Sequence, residues 1–389
     1  METWDQVAYM RHALALATRA RGRTSPNPMV GAVIVKADRI IGEGFHPRVG
    51  EPHAEIFALR EAGSAAQGAT MYVTLEPCCH FGRTPPCTRA LIAAGIAEVH
   101  IAMLDPNPLV AGKGQAELDA AGIRTTVGLG ANEAADLNEA FVKYITTRLP
   151  FVTAKFAMSL DGKIATRAGD ARWISGAESR VRVHALRDAS DALLVGVNTI
   201  LADDPQLTTR LDSSTPERQS KDAHHPDVHH PLRIIVDSCG RIPLTTRVLD
   251  PALPSRTIIA TTAQMPAATR HALESRGVEV WVLPEREKRV DLSALMRKLG
   301  EREITTVLAE GGGTLLASLF EQGLVDKVLA FVAPIVIGGD SAPTPVRGAG
   351  IAHLTDALRL DRVSVERIGA DVLISGYVNK GSVLSESLP

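Results

Sequence analysis

The alternation of strand-like and helix-like segments constrains the fold of this chain more than any other feature of its sequence. In the N-terminal part, apolar runs such as MVGAVIVK, ATMYVTLE and AEVHIAML are separated by helical patterns near 4–21, 87–94, 113–121 and 131–147. Alternation of this kind is typical of α/β proteins, in which helices cover both faces of a sheet. The sequence therefore predicts an α/β fold, with a three-layer α/β/α sandwich in this part of the chain.

A second α/β pattern begins after the turn at Leu149–Pro150. Its strand-like runs include PFVTAKFAMS, DALLVGVNTI, LRIIVDS and KVLAFVAPIV. Because 389 residues exceed the usual size of one domain, we predict two domains, at 1–148 and 149–389. No internal repeat relates the halves, so the two domains are expected to differ in structure and in role.

Composition argues for small-molecule chemistry. The net charge is −2 and only 4% of the residues are aromatic, whereas nucleic-acid-binding proteins usually carry a basic surplus and stacking side chains. No long uncharged apolar run predicts a membrane span, and the N-terminus lacks the pattern of a signal peptide. We therefore expect a cytoplasmic protein with reduced cysteines and no nucleic-acid or membrane partner.

A cysteine-rich run at 77–87, PCCHFGRTPPC, is the strongest chemical motif. With His53, the side chains of Cys78 and Cys87 offer one nitrogen and two sulfur ligands, which leaves the fourth position of a tetrahedral zinc ion open for catalysis. Glu55 follows His53 by two residues and is placed to move protons between a zinc-activated water and a leaving amine.

Three alternatives to a catalytic zinc site remain open at this point. They are a structural zinc site, a cluster without metal, and a disulfide. A closed structural site needs four protein ligands, and Cys79 and His80 adjoin Cys78 too closely to complete one easily.

A histidine and a glutamate spaced as H-x-E, followed by P-C-x-x-C, mark zinc nucleobase deaminases. Here HAE is followed by the wider P-C-x8-C, inside TLEPCCHFGRTPPC, with SPNPMVGAVIV upstream. These motifs closely resemble the bifunctional pyrimidine deaminase/reductase family of riboflavin biosynthesis, in which the wide spacing is the normal form. The resemblance implies a cytidine-deaminase-like domain that removes the C2 amine of 2,5-diamino-6-ribosylamino-4(3H)-pyrimidinone 5′-phosphate. It also implies zinc ligation by His53, Cys78 and Cys87, with Glu55 as the proton shuttle.

Four further side chains are candidates for the substrate pocket of this domain. Asn27, held between prolines, offers an amide donor and acceptor to a pyrimidine edge. His46 and His80 are expected in the pocket wall. Arg83 is suited to pair with a phosphate. Each has an ordinary alternative, as a turn asparagine or as a solvated surface residue.

In the second domain, VLAEGGGTLL predicts a strand, a glycine turn and a helix, an arrangement that lets backbone N–H groups approach a phosphate. The segments KFAMSLDGKIA, GDARWISG and LADDPQLTTR accompany it. Together they resemble the reductase of the same family, which implies a dihydrofolate-reductase-like fold and NADPH as cofactor. NADPH contacts are then expected from Ala157, Trp173, Thr199, Asp203, Ser238, Gly312, Gly313, Thr314 and Leu315.

The same resemblance implies a substrate site in the second domain and a homo-oligomer, either a dimer or a tetramer. Arg187 and Arg210 suit the ribose 5′-phosphate, and Asp203 or Glu310 is a candidate proton donor. The expected substrate contacts are Lys155, Ala171, Arg187, Leu207, Arg210 and Glu310.

Two other functions are compatible with parts of the sequence. One is a nucleic-acid-editing zinc deaminase with an RNA-binding C-terminal domain, and the other is a non-catalytic scaffold stabilised by zinc. The polar segment 211–231 is expected to be a mobile surface loop. Its four histidines, His224, His225, His229 and His230, could alternatively bind a metal.

Overall fold

The computed structural model describes residues 5–81, 85–211 and 228–379. The chain divides between Arg148 and Leu149 into two compact units. Within the described ranges, no helix is both long enough and apolar enough to cross a bilayer.

The first unit is built on a five-stranded sheet of order β2-β1-β3-β4-β5. Strand β1 is antiparallel to β2 and β3, whereas β3, β4 and β5 are parallel. The strands are β1 (Gly31–Lys36), β2 (Arg39–Phe45), β3 (Thr70–Val73), β4 (Glu98–Ile101) and β5 (Arg124–Val127). The helices are α1 (Gln6–Thr18), α2 (Ala54–Ala62), α3 (Cys87–Ala93), α4 (Lys113–Ala120), α5 (Ala131–Leu137) and α6 (Glu139–Thr147), with a 3₁₀ turn at Gly63–Ala66.

Two hydrophobic clusters cover opposite faces of this sheet. Successive residues of a strand point to opposite faces. Accordingly, Ala32 and Ile34 of β1 pack in the cluster that contains α2, while Val33 and Val35 pack in the one that contains α1. The predicted three-layer sandwich is confirmed.

The helix predicted near 131–147 is interrupted, and that prediction was wrong in detail. Asn138 separates α5 from α6. Its side-chain oxygen accepts from Met29 N at 2.8 Å, and its amide nitrogen donates to Met29 O at 3.0 Å. The break exists because Asn138 is buried and bonded to the segment that precedes β1, a contact that helical periodicity does not encode.

The second unit contains a nine-stranded sheet of order β10-β9-β8-β7-β13-β6-β14-β16-β15. The first seven strands in this order are parallel, and β16 is antiparallel to both of its neighbours, β14 and β15. The strands are β6 (Phe151–Ser159), β7 (Ala192–Gly196), β8 (Leu232–Val236), β9 (Thr257–Thr261), β10 (Glu279–Val282), β13 (Thr306–Ala309), β14 (Lys327–Ala333), β15 (Leu360–Ile368) and β16 (Asp371–Val378). A separate hairpin consists of β11 (Glu285–Arg286) and β12 (Arg289–Val290).

Helices cover both faces of this sheet as well. They are α7 (Ala177–Asp188), α8 (Val197–Asp203), α9 (Ala267–Glu274), α10 (Leu292–Glu301) and α11 (Gly313–Glu321), with 3₁₀ turns at Arg247–Leu249 and Leu354–Asp356. In β7, Ala192 and Leu194 face one cluster, and Leu193 and Val195 face the other. Parallel strands place their carboxyl ends at one edge of the sheet, where ligands of open α/β folds usually bind.

Candidate active sites

The first candidate site brings together His53, Cys78 and Cys87. His53 lies immediately before α2, Cys78 follows β3 by a short loop, and Cys87 is the first residue of α3. One ligand atom from each of the three lies within 4.8 Å of the others. His53 Nδ1 is 3.6 Å from Cys78 Sγ and 3.3 Å from Cys87 Sγ. The side chains are therefore close enough to bind one ion.

The charges of this site also suit a cation. A hydrogen bond from Cys87, together with one to His53, lowers the pKa of Cys78 to about 4. The hydrogen bond between the two cysteines raises the pKa of Cys87, and burial raises it further. Burial raises the pKa of Glu55, whose Oε2 atom is enclosed and has no hydrogen-bond partner. A half-buried Cys78 thiolate favours a metal ion. The donor set of one imidazole and two thiols fits zinc.

The alternatives for the cysteine cluster can be compared with this geometry. All four cysteines are free thiols, so no disulfide is present. Cys79 is not part of the metal-binding group, and no fourth protein ligand joins it within the described residues. A site with three protein ligands keeps a position open for catalysis.

Asn27 and His46 form a hydrogen-bonded pair near the metal-binding group. His46 Nδ1 donates to the carbonyl of Pro52 at 3.1 Å, and so its Nε2 accepts from Asn27 Nδ2, also at 3.1 Å. Burial lowers the pKa of His46, which keeps the ring neutral in this role. Its ring lies 5.2 Å from that of His53. Both ring nitrogens of His46 are occupied, whereas the Asn27 oxygen remains available to a ligand.

Glu76, which the sequence analysis did not single out, organises the loop before Cys78. Its Oε2 accepts from Asp105 N at 3.1 Å and Gly112 N at 2.9 Å, and its Oε1 accepts from Gln115 N at 3.1 Å. The available clue in the sequence was a glutamate directly before Pro-Cys. The backbone N–H groups that bind it lie 29, 36 and 39 residues further along the chain. The carboxylate thus fixes the start of α4 against the metal-binding loop.

Two other predicted pocket residues have different outcomes. His80 is half-buried, and its Nδ1 is enclosed without a hydrogen-bond partner. Arg83 lies outside the described residues.

The histidine-rich segment 211–231 lies largely outside the described residues, including His224 and His225. His229 and His230 are described, but they belong to no group of potential metal ligands found in the described ranges. The backbone N–H of His229 instead donates a hydrogen bond to Asp188 Oδ1 at 2.8 Å.

In the second unit, a buried ion pair lies at the carboxyl edge of the parallel strands. Arg187 Nε donates to Glu310 Oε1 and Nη2 donates to Oε2, both at 2.7 Å, while Nη1 donates to Thr208 O at 3.1 Å. Although burial opposes ionisation, Arg187 holds the pKa of Glu310 at about 2. Burial also lowers the pKa of Lys155, while the nearby charges of Glu310 and Arg187 raise and lower it respectively. These predicted substrate residues are close together in the structure.

His184, which the sequence analysis missed, belongs to the same cluster. Its Nδ1 accepts from the backbone N of Arg210 at 3.2 Å. Burial, with the charges of Arg187 and Arg210, lowers the pKa of His184 to about 4, so the ring is neutral near pH 7. Leu207 is buried in the core, so its side chain is not available to a ligand. Ala171 offers no polar side chain.

The glycine turn before α11 fits a phosphate. Gly312 has φ of 82°, and a Cβ added there would lie 3.3 Å from Thr199 Oγ1. A Cβ on Gly313 would lie 2.7 Å from Thr344 O, so neither position tolerates a larger residue without rearrangement. The N-terminus of α11, which carries the positive end of the helix dipole, follows this turn directly.

Four of the nine predicted NADPH contacts line one cavity of about 320 Å³. They are Ser238, Gly312, Thr314 and Leu315. The others are not part of its lining. Among these, Trp173 is 69% exposed beneath the Arg180 guanidinium, and burial raises the pKa of Asp203.

Two family models match separate parts of the chain. Residues 3–103 match the cytidine and deoxycytidylate deaminase zinc-binding region, and residues 150–374 match the RibD C-terminal domain. The riboflavin biosynthesis protein RibD of Actinobacillus pleuropneumoniae is 43% identical over 377 residues, covering 97% of this chain and 96% of that protein. The chain belongs to the RibD family.

Solved structures of RibD proteins have the same fold. Acinetobacter baumannii RibD is 39% identical with a TM-score of 0.83, covering 96% of this chain and 98% of its own. A Thermotoga maritima protein is 34% identical with a TM-score of 0.81 and the same coverage. It is described as a diaminohydroxyphosphoribosylaminopyrimidine deaminase/5-amino-6-(5-phosphoribosylamino)uracil reductase.

Membership of the RibD family confirms several predictions from the sequence. The fold combines a cytidine-deaminase-like domain with the dihydrofolate-reductase-like RibD reductase domain. The chain is a bifunctional deaminase and reductase of riboflavin biosynthesis, with zinc and NADPH as its cofactors and small molecules as its substrates. A nucleic-acid-editing deaminase with an RNA-binding domain is not favoured.

Proposed function

We propose that the unit ending at Arg148 deaminates 2,5-diamino-6-ribosylamino-4(3H)-pyrimidinone 5′-phosphate and that the following unit reduces the ribosyl group of the product to ribityl. The observation that carries the proposal is the grouping of His53, Cys78 and Cys87 beside the buried carboxyl of Glu55, whose Oε2 atom has no hydrogen-bond partner. The named activities of the Thermotoga maritima relative support the choice of substrates.

In the first unit, His53, Cys78 and Cys87 hold the zinc, which supplies Lewis-acid activation of water. Glu55 takes up a proton and delivers it to the departing amine. Its raised pKa suits this role, because a carboxyl in a dry site holds a transferred proton better than an exposed one.

Asn27, His46 and His80 serve the pyrimidine in this proposal. Because the Asn27 amide nitrogen donates to His46, its oxygen is the atom left to accept from a ring N–H or amine. We assign His46 the role of orienting Asn27 rather than contacting the substrate. His80 retains its predicted contact with the substrate, and Arg83 retains its predicted pairing with the phosphate.

In the second unit, NADPH supplies the hydride. Glu310, kept ionised by Arg187, accepts hydrogen bonds from sugar hydroxyls and is unsuited to donate a proton. Lys155 is a stronger acid than an exposed lysine because burial lowers its pKa, and it replaces Glu310 as a candidate proton donor beside Asp203. Arg187 is engaged with Glu310, which leaves Arg210 to bind the ribose 5′-phosphate.

The remaining predicted roles extend this proposal. Ala171 and Leu207 contact the substrate through their backbones. The NADPH contacts are those predicted from the sequence, Ala157, Trp173, Thr199, Asp203, Ser238, Gly312, Gly313, Thr314 and Leu315. The assignment of the two activities to 1–148 and 149–389 is part of the same proposal.

A cytoplasmic homo-oligomer, dimer or tetramer, that binds no nucleic acid completes the proposal. Seven consecutive residues of the edge strand β15 are exposed, which supports association of copies through the second unit. Light scattering coupled to gel filtration would measure the mass, and a monomer at micromolar concentration would contradict this part.

A two-stage assay tests both activities and their order. The protein is incubated with the diaminopyrimidine phosphate, first without and then with NADPH. We expect ammonia release in the first stage and NADPH oxidation only after the deaminated product has formed. NADPH oxidation without prior ammonia release would contradict the proposed order, and absence of both reactions would reject the substrates.

A further inference from the structure

The cavity of about 320 Å³ in the second unit has one strongly basic wall, which none of the predicted cofactor contacts explains. Four cations and two carboxylates line the cavity, so positive charge is in excess. The cations are Arg241 from the loop after β8 and Arg286, Lys288 and Arg289 from the hairpin β11–β12; the carboxylates are Glu287 and Glu321. All four cations are exposed to solvent, so an incoming anion can reach them.

The hairpin is fixed against the cavity by specific hydrogen bonds. Val290 N donates to Ser238 Oγ at 3.1 Å, which ties β12 to the end of β8. Gln264 Nε2 donates to Glu285 Oε2 at 2.6 Å and to Lys288 O at 3.4 Å. The hairpin that forms most of the basic wall is therefore held next to Ser238, which is one of the predicted NADPH contacts.

The hairpin places two arginines opposite one another. Arg286 and Arg289 are directly paired across its strands. Like charges opposite one another destabilise a strand pair. The turn between them uses Glu287 and Lys288 at φ of 51° and 61°, the left-handed region that favours glycine. A dianion between the two guanidinium groups would relieve their repulsion, since arginine binds phosphate oxygens in a two-point arrangement.

We propose that this basic wall binds the 2′-phosphate of NADPH and thereby makes the enzyme prefer NADPH to NADH. The inference rests on the proposed reductase function. The start of α11, at Gly312 and Thr314, lines the same cavity as the wall formed by the hairpin and Arg241. NADPH carries two anionic groups, a pyrophosphate and a 2′-phosphate, whereas NADH lacks the second.

Equilibrium binding measures this preference without turnover. Calorimetric titrations of the full chain with NADPH, NADH, 2′,5′-ADP and 5′-AMP compare the unaltered protein with the Arg286→Gln/Arg289→Gln variant. We expect the unaltered protein to bind NADPH more tightly than NADH. The variant should bind NADPH and 2′,5′-ADP about 10- to 100-fold more weakly, with unchanged affinity for NADH, because charged hydrogen bonds to the phosphate are lost.

Arg270→Gln is the matched control, because it removes an exposed arginine of α9 that does not line the cavity. It should change none of the four affinities. Arg241→Gln provides a second test outside the hairpin, which remains informative if the double variant fails to fold. It should weaken NADPH and 2′,5′-ADP in the same selective way.

The outcomes distinguish this inference from the proposed reductase function. Equal affinity of the unaltered protein for NADPH and NADH would overturn the inference alone. Variants that fold and keep the full NADPH preference would also overturn it. Failure of the unaltered protein to bind either dinucleotide would reject the reductase assignment and the inference together.

Discussion

Arg187 and Glu310 are joined by two hydrogen bonds of 2.7 Å in the interior of the second unit, although they are far apart in the sequence. Arg187 comes from α7 and Glu310 follows β13. The pair explains why a carboxylate stays ionised at a site where burial alone would favour its neutral form.

Replacing Arg187 by alanine should destabilise the second unit by about 3–5 kcal/mol, because it leaves a buried charge without its partner. The folded pKa of Glu310, about 2, lies below its ordinary 4.5, so the pair stabilises the protein above pH 4.5 and this stabilisation is lost as the pH falls toward 2. In the Arg187→Ala variant we expect protonation of Glu310 to cause a smaller loss in the free energy of unfolding as the pH falls. Urea unfolding between pH 3 and 7 measures it, and an unchanged pH dependence would contradict the assignment.

Glu55→Gln should lower the deaminase turnover number by about 10²- to 10⁴-fold, because glutamine cannot carry the proton. Zinc content and thermal stability should be retained, since Glu55 is not a member of the predicted ligand group. Atomic absorption and ammonia release measure the two properties. The reductase activity on deaminated substrate is the internal control, and near-normal deamination by the variant would remove Glu55 from the mechanism.

Asn27→Ala should raise the deaminase KM by about 10-fold, since one hydrogen bond to the substrate is lost. His46→Leu should act in the same direction through the loss of Asn27 orientation. Because both changes disrupt the same Asn27–His46 hydrogen bond, the KM of the double variant should be little higher than that of Asn27→Ala alone. Steady-state kinetics of the three variants give the coupling. Fully additive effects would indicate that His46 acts independently of Asn27.

Glu76→Ala should weaken zinc binding by about 10- to 100-fold, as is usual when a residue that supports metal ligands is removed. The reason is that three backbone N–H groups lose their acceptor and the loop that leads to Cys78 is released. Competition with a chromogenic chelator measures the affinity. Glu133→Ala, an exposed glutamate on α5, is the matched control and should have no effect. Unchanged zinc affinity in Glu76→Ala would limit Glu76 to folding alone.

Arg210→Ala should raise the KM for the phosphorylated substrate of the reductase while leaving NADPH affinity unchanged. Its guanidinium is exposed and makes one long contact, of 3.5 Å to Thr208 Oγ1, so it is available to a phosphate. Reductase kinetics and NADPH titration separate the two effects. A large loss of NADPH affinity would instead assign Arg210 to the cofactor.

The sequence by itself determined the α/β class, the residue types of the candidate metal ligands His53, Cys78 and Cys87, and the glycine turn before α11. These features depend on local periodicity and on short spacings, which are carried by neighbouring residues. Glycine at 312 is likewise a local requirement, because its φ of 82° lies in the left-handed region, whereas the crowding of Gly313 by Thr344 and Arg347 is a tertiary contact.

Only the tertiary structure decided which distant side chains meet. It paired Arg187 with Glu310, which moved the phosphate contact in our proposal to Arg210, and it bonded Asn138 to Met29, which split the predicted helix. It also placed the hairpin that carries Arg286 and Arg289 beside Ser238. Such contacts depend on strand order and on the edge of the sheet at which each loop emerges, and these follow from packing of the whole unit rather than from any local pattern.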